Sequence, residues 1–62
     1  MKSYRIVFRS GSNSPWTEVY SNNKSGIIAD VFQHLCDQNR DDPEKHFRVQ
    51  VLLFGEYQDI EI

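Results

Sequence analysis

Apolar and polar side chains alternate from Phe47 onward, with Phe47, Val49, Val51 and Leu53 on one parity and Arg48 and Gln50 on the other. A period of two marks a strand with one face in a core. Leu52 and Phe54 depart from it and put apolar groups on the parity that ought to meet water. The pattern predicts a strand over residues 45–54. Residues 2–9 alternate in the same way, with Tyr4, Ile6 and Phe8 on one face and Arg5, Val7 and Arg9 on the other. The run Ser10-Gly11-Ser12-Asn13-Ser14-Pro15 is rich in residues that tolerate or impose turn geometry. After it, Trp16-Thr17-Glu18-Val19-Tyr20 has β-favouring composition and predicts a second strand over 16–20.

The register of this first hairpin follows from its side chains. Setting Ile6 opposite Val19 also sets Phe8 opposite Thr17 and Tyr4 opposite Ser21. The other face then pairs Arg9 with Trp16, Val7 with Glu18 and Arg5 with Tyr20. Two arginine–aromatic neighbours are favourable cross-strand pairs, and the opposite parity would set Ile6 against Glu18.

Beyond Tyr20 the period changes. Ile27, Ile28, Val31, Phe32, Leu35 and Cys36 recur at helical spacing and predict one apolar stripe on a helix of about four turns, capped by Asn23 or Ser25. Asp30, Gln33, His34 and Asp37 fall on its wet side. Asn39-Arg40-Asp41-Asp42 leads into Pro43, which is expected to end the helix and open a polar loop. At the C-terminal end, a two-residue turn at Gly55-Glu56 would set Phe54 opposite Tyr57, Leu53 opposite Gln58, Val51 opposite Ile60 and Val49 opposite Ile62.

The expected architecture is therefore a single α+β domain over residues 1–62, ordered ββαββ, with a four-stranded antiparallel or mixed sheet and one helix on one face. Its predicted core is Tyr4, Ile6, Phe8, Val19, Ile27, Ile28, Val31, Phe32, Leu35, Phe47, Val49, Val51, Leu53, Ile60 and Ile62. A parallel central pair of strands 1 and 4, as in a β-grasp, and a sequential order 1-2-3-4 both satisfy the pattern.

Composition narrows the function classes. Sixty-two residues bury only about 60% of their unfolded surface, so a fold of this size is marginal on its own core. Cys36 is the only cysteine, which rules out a disulfide within the chain and fits a reducing compartment. Met1-Lys2-Ser3 leads directly into a strand pattern rather than a signal peptide, and no apolar run approaches the ~20 residues of a membrane span. A cytoplasmic protein with no membrane partner is expected. The formal charge of −2 lacks the basic excess of a nonspecific nucleic-acid binder, and acids crowd the second half of the chain.

No catalytic constellation emerges, and an enzyme, a bound metal, a cofactor or a small-molecule substrate is not expected. His34 and Cys36 stand two apart, which points them in different directions on a helix. Cys36 belongs to the apolar stripe and reads as an inert core thiol. Asp30 and His34 share a face but supply only two weak metal ligands.

One helix covers one sheet face, and the other collects Arg5, Val7, Arg9, Trp16, Glu18, Tyr20, Arg48, Gln50, Leu52, Phe54, Tyr57, Asp59 and Glu61. Trp, Tyr and Arg are the types enriched at interface hot spots. Candidate partner-binding residues are therefore Arg5, Arg9, Trp16, Tyr20, Arg48, Leu52, Phe54 and Tyr57. The expected function is a small non-enzymatic protein-binding module, an inhibitor or adaptor that docks its open face or an edge strand on a partner protein or its own copy. The alternative is single-stranded nucleic-acid binding, with rings stacking on bases and arginines meeting phosphate.

Overall fold

The computed structural model describes residues 2–38 and 43–60 of the 62-residue chain. Strands β1 (Ser3–Phe8) and β2 (Thr17–Asn22) come first, then helix α1 (Ser25–Gln38) and a single helical turn α2 (Pro43–His46). Strands β3 (Phe47–Leu53) and β4 (Glu56–Ile60) close the described chain. The four strands form one antiparallel sheet in the order β2-β1-β3-β4, bearing out the ββαββ α+β reading.

The strand order is neither of the two considered from sequence. Helix α1 carries the chain back along the sheet, so β3 runs in the same direction as β2 with β1 between them. Strand β1 then pairs antiparallel on both sides. This places the two most apolar strands at the centre: Tyr4, Ile6 and Phe8 of β1 lie opposite Val51, Val49 and Phe47 of β3. Ile6, Ile28, Phe47 and Val49 form the buried core. Tyr4, Phe8, Tyr20, Val31, Phe32, Leu35 and Ile60 pack around it.

The first hairpin departs from its expected register at one point. Phe8 faces Thr17 and Val7 faces Glu18 as predicted, but a bulge then makes Val19 an extra residue, and Ile6 faces Tyr20. Every pairing beyond it shifts by one: Arg5 meets Ser21 rather than Tyr20, and Tyr4 meets Asn22 rather than Ser21. Val19, expected in the core, is 49% exposed, and Tyr20, expected on the open face, packs against the core instead. The exchange buries the larger apolar surface of a tyrosine ring in place of a valine. It also keeps the phenol oxygen satisfied, since Asn22 Nδ2 donates to it at 3.2 Å.

Helix α1 starts at Ser25, and its first backbone bond runs from the Ile28 N–H to the Lys24 carbonyl at 3.2 Å. Lys24 thus holds the N-cap position expected of Asn23 or Ser25. Asn22 folds the chain into that start by accepting the Lys24 N–H on its Oδ1 at 3.0 Å. Of the predicted stripe, Ile28 is fully buried while Val31, Phe32 and Leu35 are half-buried. Ile27, expected in the core, is exposed. Residues 39–42, expected as loop, lie outside the described residues. The third strand begins at Phe47 rather than near residue 45, because Pro43–His46 close one turn of helix first.

The second hairpin turns on Phe54-Gly55, not on Gly55-Glu56. Leu53 faces Glu56, Leu52 faces Tyr57, Val51 faces Gln58, Gln50 faces Asp59 and Val49 faces Ile60. The register slips by two residues from the expected one, so parity is kept and Ile60 still lands on the core face. The predicted Phe54–Tyr57 pair is not formed. Glu61 and Ile62 lie outside the described residues.

Candidate docking surface

The sheet face away from α1 is covered by its own side chains. Arg5 reaches from β1 across β3 so that its guanidinium lies 3.5 Å from the centre of the Tyr57 ring on β4. On the way its Nε donates to Gln50 Oε1 at 2.9 Å, and its Nη1 stands 4.0 Å from Glu18 on β2. Gln50 in turn donates through Nε2 to Asp59 Oδ1 at 2.7 Å, and Arg48 donates to the other carboxylate oxygen at 3.1 Å. The Arg48 guanidinium also lies 4.7 Å from the centre of the Trp16 ring, which Arg9 approaches at 4.6 Å. Arg9 is further held by Nε donating to the Lys45 carbonyl at 3.1 Å.

These contacts form one connected layer across all four strands. Its effect is visible at Val7, which points to this face between Glu18 and Arg48 yet is only 1% exposed. Long arginine stems cover apolar surface while their heads stay polar. Such ring–guanidinium contacts are worth about 0.5–1 kcal/mol each where partly exposed. Of the arginines and rings expected to meet a nucleic acid, Arg5, Arg9, Arg48, Trp16 and Tyr57 are engaged with one another.

A different region stands out of the fold. Phe54 is fully exposed, at 104% of the reference area, and has a φ of 51°. Gly55 follows at 82°. Positive φ at both central residues is the signature of the tight I′ turn, whose twist matches that of the flanking strands and which favours Asn-Gly. A phenylalanine in the left-handed region is a steric outlier costing about 1 kcal/mol or more. Below the turn on the open face, Leu52 pairs with Tyr57, which is 38% exposed. Ile27, in the first turn of α1, is exposed at the same end of the sheet.

The eight residues expected to bind a partner therefore divide. Arg5, Arg9, Trp16, Arg48, Leu52 and Tyr57 lie on the open face as expected, locked or flanked by their neighbours. Tyr20 belongs to the core side. Phe54 leaves the face for the hairpin tip. Pairing by parity alone missed the parts of Gln50 and Asp59, which bridge β1, β3 and β4. Their sequence signal was the polar pair on neighbouring strands at matching parity.

Among the described residues no three His, Cys, Asp or Glu side chains come together in a way that could hold a metal ion, and no helix is long and apolar enough to cross a membrane. No family model, curated protein or solved structure matches this chain.

Proposed function

We propose that this chain is a small non-enzymatic protein-binding module that docks on a partner protein through its β3–β4 hairpin. Phe54 is the anchor, and Leu52 and Tyr57 flank it. The observation that carries this reading is the fully exposed phenylalanine held at positive φ. It spends stability on a backbone strain and recovers nothing from packing within the chain. Inserting that ring into an apolar pocket of a partner would gain roughly 1.5–3 kcal/mol from burial alone. Buried aromatic anchors of this kind dominate many interfaces. A tight turn also fixes the backbone that carries the ring, so little backbone freedom is left to lose on binding.

The woven open face supports the reading as a rigid platform. Arg5 clamps Tyr57 of β4 to the centre of the sheet, so the hairpin is braced at its base. The test is capture of partners by the immobilised protein in parallel with its Phe54→Asn and Val19→Thr variants. Recovery lost with Phe54→Asn and kept with Val19→Thr is the expected outcome. A partner recovered equally by all three baits refutes the anchor role.

A further inference from the structure

We propose that Ser14 is a phosphorylation site and that the Arg9 guanidinium receives the phosphate. The site lies at the end of the sheet away from Phe54 and is independent of the anchor there. Residues 9–16 join β1 to β2, with Arg9 and Trp16 at the base and Ser10-Gly11-Ser12-Asn13-Ser14-Pro15 between them. Ser12, Asn13 and Pro15 are exposed, and Ser14 is half-buried. Two bonds tie Ser14 to the turn: its N–H donates to the Gly11 carbonyl at 3.0 Å, and its Oγ lies 2.9 Å from Ser10 Oγ. A turn held by so few bonds opens locally at small cost. Pro15 pushes the residue before it toward extended backbone, the form in which a kinase cleft takes a serine. Of the serines in this turn, Ser14 alone precedes a proline.

The charges at the base of the turn point to the same place. Two of the open-face arginines have an acid of their own: Arg48 meets Asp59 at 3.1 Å, and Arg5 stands 4.0 Å from Glu18. Arg9 has none among the described residues. Its Nε is held by the Lys45 carbonyl at 3.1 Å, and its guanidinium lies 4.6 Å from the centre of the Trp16 ring, two residues beyond Ser14. Arg48 approaches the same ring at 4.7 Å. Two cations thus converge beneath a turn that carries no acid. The bond between Ser14 and Ser10 sets the Ser14 hydroxyl at the foot of this turn, beside the residue that follows Arg9. A guanidinium and a phosphate form strong, often paired hydrogen bonds, so a phosphate on Ser14 has a partner positioned in advance.

The reaction takes a nucleoside triphosphate and a serine kinase that accepts proline after its target. Ser14 Oγ bonds to the γ-phosphorus, the bond from that phosphorus to the β,γ-bridging oxygen breaks, and the nucleoside diphosphate leaves. The hydroxyl proton passes to the catalytic base of the kinase. The product about doubles the formal charge of −2 and fastens the turn to the open face through Arg9.

The test incubates the folded full-length protein with magnesium ATP and a proline-directed serine kinase, beside its Ser14→Ala and Pro15→Ala variants. Mass spectrometry is expected to find phosphate on Ser14 of the parent and none on either variant. The second ionisation of the phosphate, at about pH 6 for a solvated phosphoserine, is then followed by 31P resonance. Arg9 is expected to lower the proton affinity of the phosphate about threefold, and Arg9→Gln to restore it. Arg9→Lys, which keeps the charge, is expected to retain most of the shift. Phosphate on Ser10 or Ser12 in place of Ser14, or none at all, overturns the proposal. A titration that Arg9→Gln leaves unmoved overturns it as well, since the guanidinium would then not receive the group.

Discussion

The Arg5 guanidinium and the Tyr57 ring are in contact at 3.5 Å although β3 runs between their strands. The contact runs diagonally across the sheet: Gln50, opposite Arg5 on β3, accepts from Arg5 Nε, while the guanidinium reaches on to Tyr57, which stands opposite Leu52. The arginine thus ties an edge strand to the sheet centre through side chains alone. Arg5→Ala and Tyr57→Ala are each expected to cost about 1 kcal/mol, with a coupling of about 0.5–1 kcal/mol in a double-mutant cycle. Urea denaturation of the four proteins measures it. Strict additivity would mean that the two groups do not interact in solution.

Two valines on the first hairpin provide a second comparison, since they share a chemistry and differ in burial. Val7 is 1% exposed beneath the open-face layer, whereas Val19 is 49% exposed at the bulge. Val7→Ala is expected to lose about 2 kcal/mol through transfer and cavity terms. Val19→Ala should lose no more than about 0.5 kcal/mol. A regular hairpin, with Val19 facing Ile6, would make the two losses similar. Their ratio in chemical denaturation therefore reads out the bulge directly.

That bulge shows where the sequence was legible and where it was not. The core faces of β1 and β3 were readable because Tyr4, Ile6, Phe8 and Phe47, Val49, Val51 follow strict alternation over their whole length. In β2 the adjacent Val19 and Tyr20 both suit a core, and parity alone cannot say which one turns inward. Packing decided it, because the tyrosine fills more space and its hydroxyl has Asn22 to meet. The second hairpin differs for a related reason. Glycine's tolerance of positive φ points to Gly55 as the first turn residue, yet the turn uses it second and puts Phe54 in the strained first position. Parity places Arg5, Arg9, Trp16, Arg48, Leu52 and Tyr57 on the open face but misassigns Tyr20 and Phe54, and the bonds that lock the face reach across strands, which no one-dimensional pattern carries.

His46 joins the far ends of β1 and β3. The Arg9 N–H donates to the His46 carbonyl at 3.0 Å, and His46 Nδ1 stands 2.9 Å from the Arg9 carbonyl oxygen. A carbonyl only accepts, so the neutral ring carries its proton on Nδ1. Long-range 1H–15N correlation should show that tautomer, which is unusual for a solvated histidine. Its ring also packs against Phe8, with centroids 6.3 Å apart. His46→Ala is accordingly expected to cost about 1–2 kcal/mol, combining a lost hydrogen bond with lost packing. An Nε2-protonated ring would show that the bond to Arg9 does not form.

The most direct prediction concerns the hairpin tip, where folding and binding are expected to pull in opposite directions. Phe54 makes no burial gain, and its φ of 51° is one that asparagine adopts far more readily than a bulky side chain. Phe54→Asn therefore removes strain without removing packing, and gives the turn the Asn-Gly pair that its geometry favours. The variant is expected to be more stable than the parent by about 1 kcal/mol, which in a domain of this size raises Tm by about 4–8 °C. Thermal unfolding followed by circular dichroism measures the shift. A loss of stability instead would mean that the ring packs against the protein in solution and is no free anchor. A gain would show that this position carries a residue that folding alone does not favour.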